Sequence, residues 1–260
     1  MAGGTVIVER DGFIATVTLS SPGRMNALDK TMWAQLGAAM SGLGADNNLR
    51  CIVLRGTGDK AFAAGADIAE FHAERANSTQ AKAYSQGGIG WMRAVAECRH
   101  PTVALIQGAC VGGGLLIASQ CDLRICNESA RFGVPVKNLG LTESYDELQA
   151  MMRVIGPAAS LEILLEGRIW GASEARDKGL VNRVVPDAGV VEEAYATARR
   201  IADGAPLVAR WHKKFIRRLL DPRPLTQEER DEGYACFDTE DFKTGVAAFL
   251  AKKKPHFEGR

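Results

Sequence analysis

No apolar run in the sequence approaches the ~20 residues that a membrane-spanning helix requires, and there is neither a fixed-period repeat nor a low-complexity tract. Charge of one sign is also missing. The 32 Lys and Arg residues against 31 Asp and Glu leave a net charge of +1, which removes the long-range pull that nucleic acid or an anionic membrane exerts on a basic protein. Neither is therefore expected as a partner. The six cysteines (Cys51, Cys98, Cys110, Cys121, Cys126 and Cys236) show no C-x-x-C spacing and sit in or beside apolar runs. That pattern argues against a zinc site or a disulfide framework and for reduced, buried thiols. The first residues, Met-Ala-Gly-Gly-Thr-Val, lack a charged segment followed by an apolar stretch, so no signal peptide and a cytoplasmic location are expected. What remains is a chain of 260 residues, 46% hydrophobic and 24% charged. It is long enough for one large domain or one domain with an appendage.

Periodicity gives the organisation. Residues 5–9 and 13–19 alternate apolar and polar positions around Arg10-Asp11-Gly12, the pattern of a β-hairpin. Helical spacing follows over 27–43, a short buried strand over 51–55, a helix from 67 and a longer one over 81–97. Strands are expected at 101–106 and 122–126, with a helix from 115 between them. From 144 onward the spacing is helical apart from 181–185. The fold class is α/β: a layered core over residues 1–204 and a helical C-terminal region over 205–260.

Two glycine-bearing segments carry the chemistry. They are Lys60-Ala61-Phe62-Ala63-Ala64-Gly65-Ala66-Asp67-Ile68 and Gln107-Gly108-Ala109-Cys110-Val111-Gly112-Gly113-Gly114. Each follows a β-rich run and leads into a helix, so each can aim an unpaired backbone N–H at one developing negative charge. Two such donors stabilise the oxyanion of a thioester enolate.

With Pro22-Gly23-Arg24-Met25-Asn26-Ala27-Leu28, Ala130-Arg131-Phe132-Gly133-Val134-Pro135, Asn138-Leu139-Gly140-Leu141 and Gly245-Val246-Ala247-Ala248-Phe249-Leu250, these segments form an ordered set. The set resembles the crotonase (enoyl-CoA hydratase/isomerase) superfamily over nearly the whole chain. The resemblance implies a ClpP-like spiral of ββα units and a C-terminal helical trimerisation region. It also implies a homotrimer or a dimer of trimers, and an acyl-CoA substrate that carries its own coenzyme A. No other cofactor and no metal are implied. By position, the oxyanion donors are the N–H groups of Ala66 and Gly113. Contacts to coenzyme A or the acyl chain fall to Arg24, Met25, Ala27, Lys60, Ala64, Asp67, Ile68, Leu116 and Val136. A neighbouring subunit would supply Phe249 and Lys252.

The chain departs from the pattern at the acid/base positions. Hydration needs two carboxylates, one for the water and one for the α-carbon proton. In the hydratases they lie two residues past the triple glycine and directly after the Phe-Gly-x-Pro segment. Here those positions are Leu116 and Val136. Attention moves to Leu141-Thr142-Glu143-Ser144-Tyr145-Asp146-Glu147, where some superfamily members place a catalytic carboxylate. Glu143, Ser144 and Tyr145 are the candidates, with Asp146 behind them. The competing reading is a capping box, Ser144-x-x-Glu147, ahead of a helix over 145–154. Glu70 and His72 are further candidates for acid or base. Trp91 belongs to the pocket or the core, Tyr234 and Phe237 to the pocket border, and Arg93 or Arg131 could meet a distal carboxylate. The expected chemistry is isomerisation, decarboxylation or hydrolysis instead of hydration. The alternative is a catalytically weak acyl-CoA-binding protein of the same fold.

Overall fold

Alternation along the first strands sets the edge of the main sheet. In the computed structural model, which describes residues 3–260 with the side chains of 86–89 excepted, β1 (Thr5–Asp11) and β2 (Ile14–Ser20) pair antiparallel with Val8 opposite Val17. The Ala15, Val17 and Leu19 side chains of β2 are buried and their neighbours half-buried. α1 (Lys30–Ala45) begins later than its apolar spacing suggests, because the Asp29 carboxylate caps it by accepting from the Met32 N–H at 2.9 Å.

Three turns of chain then each contribute a strand to the main sheet and a short strand to a second one. β3 (Cys51–Gly56) leads to β4 (Ala61–Ala63), α2 (Phe71–Glu74) and α3 (Ser78–Ala96). β5 (Thr102–Ile106) leads to β6 (Ala109–Val111) and α4 (Gly113–Gln120), and β7 (Leu123–Asn127) to β8 (Arg131–Gly133) and α5 (Tyr145–Glu166). β9 (Trp170–Gly171), α6 (Ala172–Asp177), β10 (Arg183–Val185) and α7 (Val190–Ala202) complete the core. α8 (Pro206–Leu219), α9 (Gln227–Glu232) and α10 (Glu240–Leu250) follow. The six-stranded sheet runs β1-β2-β3-β5-β7-β10 and the four-stranded sheet β4-β6-β8-β9. This is the crotonase spiral of ββα units.

The second sheet escaped the sequence, because strands of two or three residues establish no period. The helix expected from residue 67 is also corrected. The Asp67 carboxylate accepts from the Ala69 N–H at 3.1 Å and a 3-10 turn, Ile68–Glu70, intervenes, so only the single turn of α2 forms. Asn77, accepting from the Gln80 N–H at 3.0 Å, starts α3 at Ser78, three residues before the apolar spacing indicated.

Both faces of the main sheet are covered, as parallel strands require. Cys51 and Val53 of β3 face the α7 side with Val103, Leu105 and Ile125. Ile52 and Leu54 face the larger core with Ala104, Ile106 and the α1, α3 and α4 helices. α5 has the length and mean hydropathy, 1.3, of a membrane span. It is broken at Gly156, however, where φ is 71°, and it buries Ala150, Met151, Ser160 and Ile163. α8 is tied to the core by charge: Asp122 receives Lys213 Nζ at 2.6 Å and Arg217 at 2.9 Å, and Lys213 also donates to the His100 carbonyl at 2.7 Å.

Candidate active site

Parallel pairing of β4 with β6 carries the two glycine segments to the same place. Gly65 has φ +107°, a conformation open to glycine, and a Cβ there would lie 3.4 Å from the Gly113 nitrogen. A Cβ on Gly113 would lie 3.6 Å from the Ala66 nitrogen and 2.9 Å from Trp33 Cη2. The residues around the pair are pinned. Leu28 N–H donates to the Gly65 carbonyl and Asp67 N–H to the Leu28 carbonyl, both at 2.8 Å, and Gly112 N–H donates to the Gly133 carbonyl at 2.8 Å. The Ala66 and Gly113 N–H groups donate to no protein acceptor among the described residues. Gly113 is the first residue of α4, so its N–H also lies at the positive end of that helix.

Both donors open on a cavity of about 620 Å³. Trp33, Trp91, Met92, Leu116 and Val136 form an apolar wall; Trp91 is 5% exposed and stacks on Trp33, so it serves core and pocket together. The cavity also holds Glu143, Ser144, Asp146 and Glu147. Ser144 is the N-cap of α5. Its N–H and hydroxyl donate to the Glu147 carboxylate at 2.7 and 2.6 Å, and the Glu147 N–H returns to the Ser144 oxygen. The capping box thus exists, and it occupies Ser144 and Glu147 with each other. Glu143 lies just before the cap, half-buried. Burial, and then the negative charge of Glu147, push its carboxyl up to about 8, while the Arg75 charge pulls the other way. A carboxyl that titrates near neutral pH, in the same cavity as two N–H donors, can take a proton from carbon and return it.

Several candidates fall elsewhere. Tyr145 is 92% exposed and outside the cavity lining, because the first turn of α5 turns it to solvent; it leaves the candidate set. Glu70 accepts from the Lys30 N–H at 2.9 Å and so serves the start of α1. Neither Glu70 nor the exposed His72 lines the cavity. Tyr234 and Phe237, 68% and 54% exposed, do not border it either. Arg93 pairs with Glu97 on the surface of α3, and Arg131 donates to the Ser129 and Ala130 carbonyls. Of the residues expected to hold coenzyme A, Ala64 and Ile68 line the cavity. Arg24 is ion-paired to Asp67, with Asp29 at 3.5 Å. Met25 is exposed at φ +54°, Lys60 is exposed and Ala27 is buried. Phe249, 82% exposed, and Lys252 lie at the end of α10, apart from this cavity within one chain. The sequence reading missed Phe71, Arg75 and Tyr84, all in the lining. The i, i+4 spacing of Phe71 and Arg75 was the available signal. Among the described residues no group of His, Cys, Asp and Glu is arranged to hold a metal ion. Burial pushes the Cys121 and Cys126 thiols up to about 12, leaving them neutral and unreactive.

This fold and paired N–H site define the crotonase class, and comparison with known proteins agrees. The family model for enoyl-CoA hydratase/isomerase matches residues 9–260. A probable enoyl-CoA hydratase of Rhizobium meliloti is 36% identical over 98% of both chains. The crystal structure of an enoyl-CoA hydratase/carnithine racemase from Magnetospirillum magneticum superposes with a TM-score of 0.97 at 51% identity, covering 98% of this chain and 96% of that one. An enoyl-CoA hydratase from Bacillus anthracis superposes at 0.91 with 28% identity, over 98% of this chain and all of that one. The chain belongs to the enoyl-CoA hydratase/isomerase family.

Proposed function

We propose that the protein binds an acyl-CoA thioester and isomerises its double bond through an enolate. The thioester oxygen sits between the Ala66 and Gly113 N–H groups, and Glu143 moves the proton. The observation that carries this reading is one half-buried carboxyl of raised pKa in the same cavity as two N–H groups that lack acceptors. In its ionised form Glu143 takes a proton from the α-carbon of a 3-enoyl thioester. The electron pair moves into the thioester carbonyl, whose oxygen the N–H pair stabilises. Return of the proton at the γ-carbon gives the conjugated 2-enoyl thioester. One carboxylate suffices for this 1,3-shift. Standard hydration requires two, and the wall positions Leu116 and Val136 offer none.

The test is a thioester panel read by mass spectrometry: a 3-enoyl-CoA, crotonyl-CoA, methylmalonyl-CoA and a β-ketoacyl-CoA. The 3-enoyl-CoA is expected to turn over, with crotonyl-CoA hydrated slowly or not at all. Glu143→Gln is expected to lose about 10²- to 10⁴-fold in kcat. Fast, Glu143-independent hydration of crotonyl-CoA would overturn the reading. Binding of every thioester without turnover would select a weak acyl-CoA-binding protein instead. Products of decarboxylation or thioester hydrolysis would move the chemistry to those reactions on the same N–H pair.

A further inference from the structure

Arg75 follows α2 and lines one side of the cavity, and among the described residues it forms no ion pair. The carbon of its guanidinium lies 4.0 Å from the ring centre of Tyr84 and 4.6 Å from that of Phe71. All three residues line the cavity. Aromatic neighbours take a face of a guanidinium plane, the arrangement in which its N–H edge can bind a carboxylate with two parallel bonds. The Arg75 Nε is buried and has no hydrogen-bond partner.

The carboxylates of the cavity do not fill that role. Glu147 is engaged by the Ser144 N–H and hydroxyl. Asp146 is exposed to solvent. Glu143 feels the Arg75 charge but forms no ion pair with it within the described structure. The Tyr84 phenol, pushed up by its burial against the charge and hydrogen bond of Arg75, offers that guanidinium a neutral partner and no compensating charge. A buried or half-buried guanidinium favours a carboxylate partner, and among the described residues Arg75 is ion-paired to none in this cavity.

We propose that Arg75 recognises a carboxylate at the far end of the acyl chain, so that the preferred substrates are CoA thioesters of dicarboxylic acids. The inference rests on the acyl-CoA reading above and narrows its substrate class. The apolar wall of Trp33, Trp91 and Met92 takes the methylene segment, and Arg75 with the exposed Lys82 supplies the only cations of the lining among the described residues.

Binding measurements on the full-length protein decide it. Succinyl-, glutaryl- and adipyl-CoA are titrated against butyryl-, pentanoyl- and hexanoyl-CoA, with wild type, Arg75→Gln and Arg75→Lys. Wild type is expected to prefer the carboxylate of at least one length by about 30-fold over its methyl-terminated counterpart, the scale of a desolvated charge-assisted contact. Arg75→Gln is expected to reduce that ratio to about 3-fold or less, and Arg75→Lys to recover part of it, which also shows that the variants fold. Equal binding of both series by wild type would overturn the Arg75 assignment alone, leaving the acyl-CoA reading in place. So would a preference retained in Arg75→Gln. Failure of every thioester to bind would overturn both.

Discussion

The indole of Trp33 stacks on that of Trp91 with ring centres 4.5 Å apart, and its Cη2 lies 2.9 Å from where a Gly113 side chain would begin. The stack joins α1 to α3 and supports one of the two N–H donors from below, so the donor's position depends on an aromatic pair far away in sequence. Adding a methyl group at Gly113 forces the indole or the α4 N-terminus to move. Gly113→Ala is therefore expected to lower kcat/KM by about 10²-fold, as for the loss of one oxyanion donor. A shift in tryptophan fluorescence should accompany the loss. Unchanged kcat/KM with a folded protein would show that the Gly113 N–H does not meet the reacting oxygen.

The acid/base assignment has a sign that can be read. If ionised Glu143 is the base, kcat/KM for a 3-enoyl-CoA rises with pH toward a midpoint near 8 and levels off above it. Burial is the first cause of that midpoint and the Glu147 charge the second. Glu147→Gln therefore moves the midpoint down, toward the ordinary carboxylate range, while Glu143→Gln abolishes the limb. A rate that falls with pH over the same window would make Glu143 an acid in the rate-limiting step.

Acid stability turns on His100, away from the site. The residue is fully buried, neither ring nitrogen has a hydrogen-bond partner among the described residues, and burial, with the Arg210 and Arg99 charges, lowers its pKa from 6.5 to about 4. The unfolded chain thus binds a proton that the native chain refuses. The stability that neutral His100 preserves is full above pH 6.5 and lost as pH falls toward 4, by about 3 kcal/mol for one site. His100→Phe is expected to flatten the urea midpoint across that window. An identical pH slope in the variant would remove His100 from the account.

How much of this was legible depended on length and on context. The strands β3 and β5 were visible because four apolar residues in a row, Cys51 to Leu54 and Val103 to Ile106, mark a buried strand, and β7 because Leu123, Ile125 and Cys126 form a short, mostly apolar run after a helix. β4, β6, β8 and β9 were invisible at two or three residues, yet they form the sheet that carries the N–H pair. The glycines betrayed that pair even so, since backbone close approach leaves a compositional mark where a three-residue strand does not. Glu143 stood out because it directly precedes Ser144, the position where some superfamily members place a catalytic carboxylate. Its neighbour Tyr145 misled, because whether a residue lies before or after a helix cap decides which way it faces, and that is settled by the Ser144 geometry. Arg75 sits in the polar stretch Ala73-Glu74-Arg75-Ala76-Asn77, which reads as ordinary solvated surface. Its i, i+4 spacing from Phe71 is a faint local sign, while the contact with Tyr84 is a tertiary event that leaves none.

The two groups proposed to meet the reacting oxygen belong to the main chain, at Ala66 and Gly113. Only a change to proline, which has no N–H, deletes such a donor; every other substitution leaves it in the chain. The side chains around the cavity, from Leu116 to Glu143 and Arg75, are by contrast replaced outright by any substitution. The scaffold therefore separates what is inherited from what can be rewritten: the means of holding an enolate passes on with the fold, while the proton carrier and the taste for a particular acyl group are left to drift under selection.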